Sequence, residues 1–159
     1  MDRIGIITLR AEVEDDLRAS IQAAAAARDR LQTGGASGHE SCAYQLIRFF
    51  NIIEQLGLRI AKAFENHIDN ERGWHAEIIH RLSIAVPGVR PAVYLPAVLP
   101  LLRDLRGFRH IITHAYELKL DEDRIASVLK HAEEAVQILP IMITTFFDTV
   151  QSQMSTIHS

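Results

Sequence analysis

Arg109 and His114 stand five residues apart in the run Leu101–Tyr116. Histidine can give or take a proton near neutral pH, which makes it the usual general acid or base. Arginine keeps its charge and can bind two oxygens of a phosphate with its planar guanidinium. The two side chains together therefore indicate chemistry at a phosphate group, with one proton transferred and one negative charge stabilised.

The same run has the pattern of an amphipathic helix when each residue is turned by about 100°. One side is apolar and is formed by Leu101, Leu105, Phe108, Ile112 and Ala115. The opposite side is basic and imidazole-rich and is formed by Arg103, Arg106, His110 and His114. Arg109 and Tyr116 lie at the boundary, and Asp104 is the single carboxylate in the run. An ordinary solvated basic face is the competing interpretation, because exposed arginines and histidines are common.

Other chemistry has weaker support in the sequence. His110 and His114 have the spacing of a zinc-protease helix, but Ile111 stands where that motif needs its glutamate, so we expect no metal and no cofactor. Cys42 has no neighbour that would activate it and is expected to be a buried helical cysteine. Glu54 could stand behind the basic run as a supporting acid, although a solvated or paired helix residue is the simpler interpretation.

The composition favours one globular domain over residues 1–159, because 48% of the residues are hydrophobic and 23% are charged. No uninterrupted apolar stretch is long enough for a membrane span, and the start lacks the pattern of a signal peptide. With one cysteine and no internal disulfide, the cytoplasm is the expected compartment. The net charge of −3 argues against a general nucleic-acid coat protein but not against one local basic site.

Hydrophobic periodicity and helix-breaking residues predict an all-α fold, an antiparallel bundle of four to five helices. The predicted helices are Ile4–Leu31, about His39–Ile68, Gly73–Leu82, about Pro100–Leu118, and a last one after Leu120. The three glycines of Thr33–Gly38 predict a loop, and the prolines between residues 85 and 100 predict a connector. Asp121 or Asp123 should cap the last helix, Pro140 should kink or interrupt it, and the polar tail after about residue 150 should be loose.

The run Arg109–Tyr116 resembles the Arg-x4-His-x-Tyr motif of HepT-like HEPN proteins, with His110 in a position where that family often has Asn, Asp or His. The resemblance extends over about Trp74–Leu139. It implies a helical bundle that forms a homodimer and brings two motifs to one cleft. It also implies a metal-independent ribonuclease toxin, paired with a small nucleotidyltransferase antitoxin. Arg109 and His114 would be catalytic, with His110 and Arg106 in support.

The resemblance assigns a further role to Tyr116, whose equivalent can be the target of nucleotide transfer by the antitoxin. A structural role for Tyr116 at the edge of the core is equally compatible with its position. Helix geometry adds one constraint, because five residues correspond to about 7.5 Å of rise and about 140° of rotation. Either the arginine crosses the helix face or a second protomer completes the site, so we expect this helix at or beside a homodimer interface.

A second functional class also fits the sequence. A non-catalytic helical adaptor that binds a nucleotidyltransferase, or another protein partner, would suit the negative net charge and the low count of three lysines. RNA cleavage and partner binding therefore both remain hypotheses at this point, with RNA cleavage favoured by the motif.

Overall fold

The computed structural model describes residues 2–65, 74–114 and 120–157 of the chain. These residues form five α-helices and no β-strand, so the predicted all-α bundle is confirmed. The helices are α1 Arg3–Thr33, α2 Gly35–Phe64, α3 Trp74–Leu82, α4 Leu99–His114 and α5 Glu122–Ile157. None of the described helices is both long and apolar enough to cross a membrane.

The connection between α1 and α2 differs from the predicted loop over Thr33–Gly38. Gly34 is the only residue outside the two helices, and Gly34 and Gly35 have φ angles of 71° and 68°. A Cβ atom at Gly38 would lie 2.8 Å from the carbonyl oxygen of Arg30. The loop prediction was wrong because these glycines permit a left-handed reversal and a close approach of two helices, which leaves no room for a six-residue loop. The result is a tight helical hairpin.

The beginning of α5 agrees with the sequence, and its end does not. The side chain of Asp121 accepts a hydrogen bond of 3.0 Å from the backbone N–H of Asp123, which confirms Asp121 as the cap. The helix continues through Pro140, so the proline does not interrupt it, and the buried Leu139 and Ile143 hold it against the core on both sides of the proline. The tail expected to be loose after residue 150 instead remains helical to Ile157.

One buried cluster joins residues of all five helices and of the connector between α3 and α4. Helix α2 contributes the fully buried Phe49 and Phe50 to this cluster. In the connector, the hydroxyl of Tyr94 donates a hydrogen bond of 3.0 Å to the carbonyl oxygen of Ile53 in α2. Tyr94 is itself buried, so this bond fixes the approach of the connector to α2 and with it the start of α4.

Candidate functional site

Helix α4 presents the two faces that its sequence predicts. Its buried residues are Leu101, Leu102, Leu105 and Phe108, and Ile112 is partly buried against the same core. Its outward side carries four exposed basic residues, Arg103, Arg106, His110 and His114, which we call the basic strip. Neither Arg103 nor Arg106 forms an ion pair with any other residue in the described part of the chain. The strip is therefore positively charged at its surface.

Asp104, the one carboxylate of α4, is directed away from the basic strip and toward α5. Its oxygens accept hydrogen bonds from both terminal nitrogens of Arg124, at 2.7 and 3.0 Å, and Nδ1 of His131 lies 2.7 Å away. The bond from Arg124 is the main cause that keeps the pKa of Asp104 below its usual value, with His131 adding to it and partial burial opposing it. Asp104 therefore ties α4 to α5 and leaves the charge of the strip uncompensated.

Arg109 lies beside the strip and reaches across to α2. Its Nη1 donates to Glu54 Oε2 at 2.6 Å and to Asn51 Oδ1 at 2.8 Å, while its Nη2 donates to Glu54 Oε1 at 3.1 Å. The guanidinium carbon also lies 4.6 Å from the centre of the Phe50 ring, within cation–π range. Four contacts to three residues of α2 thus fix the guanidinium in one orientation.

Glu54 is the carboxylate that binds Arg109, a role that its position in the sequence only weakly indicated. It is only 7% exposed, and its carboxylate binds Arg109 through both oxygens. A buried carboxylate is almost always paired, because leaving it unpaired in an apolar environment is costly. The signal was present in the sequence, since Glu54 shares the apolar side of α2 with Phe50, one turn away, and so required a cationic partner.

His114 is held by its own helix, in one tautomer. Its Nδ1 lies 2.9 Å from the carbonyl oxygen of His110, which can only accept, so Nδ1 must carry the proton. The hydroxyl of Thr113 lies 3.1 Å from the same nitrogen and donates its own proton to the carbonyl of Arg109 at 2.8 Å. In the neutral ring the lone pair is consequently on Nε2, on the exposed side of α4. This nitrogen can accept a proton from a molecule bound there.

The structure brings some of the expected site residues together and keeps others apart. The rings of His110 and His114 stack with their centres 4.3 Å apart and their planes inclined by 32°. Arg109 binds α2, and no hydrogen bond joins it to His114 in the described residues, so the arginine does not cross the helix face. Tyr116 lies outside the described residues. Within the described ranges, no three metal-binding side chains form a cluster.

The all-helical bundle and the Arg109–His114 motif on one helix define a protein of the HEPN type. A family model described as HepT-like protein matches residues 41–150, from the first turns of α2 to the last third of α5. The chain belongs to this HepT-like family, whose members are generally components of toxin–antitoxin systems. Comparisons with curated proteins and with solved structures gave no match.

Proposed function

We propose that this protein is a metal-independent endoribonuclease, the toxin of a toxin–antitoxin pair, acting in the cytoplasm. The observation that carries the proposal is the state of His114, whose Nδ1 is bound to a backbone carbonyl while its Nε2 lies on an exposed basic helix face. Membership in the HepT-like family supports this assignment.

The proposed reaction uses the 2′-hydroxyl of the RNA as the nucleophile. Nε2 of His114 takes the 2′-proton as the oxygen attacks the adjacent phosphorus, and the bond from phosphorus to the 5′-oxygen breaks. The products are a 2′,3′-cyclic phosphate and a free 5′-hydroxyl, whose oxygen takes its proton from the protonated His114 of a second copy of the chain. Arg109 stabilises the negative charge on the phosphoryl oxygens, and Arg106 and His110 attract the RNA backbone to the strip.

A second copy of the chain would complete this site. Arg109 and His114 diverge on α4, and the neighbouring Ile111, an apolar side chain, is 50% exposed on the same surface. Packing two α4 helices around a two-fold axis would cover Ile111 and bring Arg109 of one copy toward His114 of the other. We therefore include a homodimer in the proposal. The second proposed partner is a small nucleotidyltransferase antitoxin that modifies Tyr116.

RNA cleavage in the presence of EDTA tests the proposal. Loss of a general acid or base typically lowers a rate by about 10²–10⁴-fold, so His114→Ala should reduce cleavage by that factor. His80→Ala is the matched control, because His80 is an exposed histidine on α3, away from the strip. The proposal fails if wild type is inert on several RNAs, or if His114→Ala cuts as fast as His80→Ala.

The second candidate is a non-catalytic adaptor that binds a nucleotidyltransferase or another protein. The contact that favours it is the Arg109–Glu54 pair, because this pairing would hold α4 against α2 even in a protein without catalysis. An adaptor should form a stable complex with its partner after Arg109→Lys and His114→Ala are combined. Gel filtration of the two proteins together would show whether the complex survives.

A further inference from the structure

The guanidinium of Arg109 has five N–H donors in one plane, and they are arranged in pairs along its edges. The end edge consists of one N–H from Nη1 and one from Nη2. The side edge consists of the Nε–H and the second N–H of Nη2, because Nη1 is by convention the nitrogen on the same side as Cδ. Either edge can bind two oxygens of a carboxylate or a phosphate at once.

Residues of α2 bind the end edge of the Arg109 guanidinium, and no described residue binds its side edge. Glu54 accepts from Nη1 and Nη2 together, which takes the end edge, and Asn51 accepts the remaining N–H of Nη1. No described residue accepts a hydrogen bond from Nε. Because no buried side-chain nitrogen lacks a partner in the described part of the chain, Nε must reach solvent. The side chain of Arg109 as a whole is 25% exposed.

We propose that Glu54 and Asn51 are positioning residues that turn the side edge of Arg109 outward as a preorganised two-point site for one RNA phosphate. This inference rests on the proposed ribonuclease function for the identity of its ligand. It adds that Arg109 acts through hydrogen-bond geometry more than through net charge, because the charge of the Arg109–Glu54 pair sums to zero. The free positive charge at the surface belongs to Arg103 and Arg106 instead.

The charge argument separates positioning from simple attraction. Glu54→Gln removes one negative charge from the site, so the mutation should leave the KM for RNA unchanged or lower it. The same mutation weakens the hold on the guanidinium, and a misplacement of about 1 Å can cost roughly a hundredfold in rate. We expect kcat to fall by about 10–100-fold while KM does not rise. Glu133→Gln is the matched control, because Glu133 pairs with Arg28 on an exposed surface.

A direct readout that needs no catalysis is the ¹⁵N–¹H signal of Arg109 Nε by NMR. The probe is a 2′-O-methyl RNA oligonucleotide, which has no free 2′-hydroxyl and cannot be cut by the proposed reaction. The Nε signal, assigned by its loss in Arg109→Lys, should shift as the probe is added. The Nε signal of Arg90 is the internal reference and should not shift, because that nitrogen donates to Glu65 at 2.8 Å. In Glu54→Gln the shift of the Arg109 signal should shrink.

The two proposals can fail separately. If the Arg109 signal shifts but wild type cuts no RNA, the phosphate site stands and the ribonuclease function falls. If wild type cuts RNA and the Arg109 signal does not move when the probe binds, the inference is overturned while the function stands. A Glu54→Gln protein with the kcat, KM and signal shift of wild type would also overturn the role given to Glu54.

Discussion

The Arg109–Glu54 pair predicts an asymmetry between its two truncations. Arg109→Ala leaves the carboxylate of Glu54 in a place where it is only 7% exposed. Removing one partner of such a pair typically costs about 3–5 kcal/mol, and we expect the lower end because the Arg109 side is partly open to water. Glu54→Ala should cost less, about 1–2 kcal/mol, since the arginine can reach solvent and keeps Asn51 as an acceptor.

Urea unfolding at neutral pH measures the unfolding free energy of both mutants. In a thermal melt of a chain of this length, a loss of about 3 kcal/mol corresponds to a fall in Tm of roughly 6–12 °C. The double mutant should be more stable than the sum of the single losses predicts, because the two groups act on each other. Arg28→Ala is the control, as its pair with Glu133 is exposed and should be worth at most about 1 kcal/mol.

Two results would refute this reasoning. If Arg109→Ala were no more destabilising than Arg28→Ala, the carboxylate of Glu54 would not be buried in solution as it is here. If the single losses were simply additive, the two side chains would not interact. A low activity of Arg109→Ala would not distinguish unfolding of the protein from loss of the guanidinium at the proposed site. Arg109→Lys, which retains a cation beside Glu54, separates the two.

Further predictions concern the packing and charges that hold α4 in place. Gly57→Ala should lower the unfolding free energy by about 1–3 kcal/mol, because its Cβ would lie 2.8 Å from the buried side chain of Leu82. A Cβ at Gly107 would meet nothing within 4 Å, so Gly107→Ala should raise the unfolding free energy by about 0.5–1 kcal/mol. Thermal melts of the two mutants compare these effects. Asp104→Asn should cost about 1 kcal/mol at pH 7 through the bond to Arg124. The pKa of Asp104 is lower in the folded state than in the unfolded chain, so this stabilisation is fully present above about pH 4, where a free aspartate titrates. It is lost as the pH falls through the lower pKa of the folded state. The unfolding free energies of wild type and Asp104→Asn, measured by urea titration, should therefore converge at that low pH.

The amphipathic register of α4 was predictable because it depends on residues within one helix. The buried positions from Leu101 to Phe108 and the exposed basic strip follow from a period of 3.6 residues alone. The cap at Asp121 follows from equally local chemistry, since a short side chain bonds to the backbone two residues on. Local sequence patterns therefore predict the two faces of α4 and the first residue of α5.

The features that could not be predicted from the sequence depend on contacts between distant segments. The partner of Arg109 comes from α2, more than fifty residues earlier, and no periodicity specifies which acid it meets. The last turns of α5 were judged loose from their polar composition, although Val150 is buried and Met154 packs against the core. The glycines at the α1–α2 junction predict a loop, because a sequence does not show when positive φ angles build a tight reversal instead.

The carbonyl of His110 binds Nδ1 of His114, so only Nε2 of this ring is available for proton transfer. In the proposed reaction, once Nε2 has accepted the proton of the 2′-hydroxyl, the ring has no second nitrogen from which to protonate the departing oxygen. In an in-line displacement that oxygen leaves on the far side of phosphorus, out of reach of the same nitrogen. The proposed reaction thus calls for a second proton donor on the opposite side of the substrate. His110 stacks on the same side as His114, so two α4 helices facing each other across a cleft would meet this requirement.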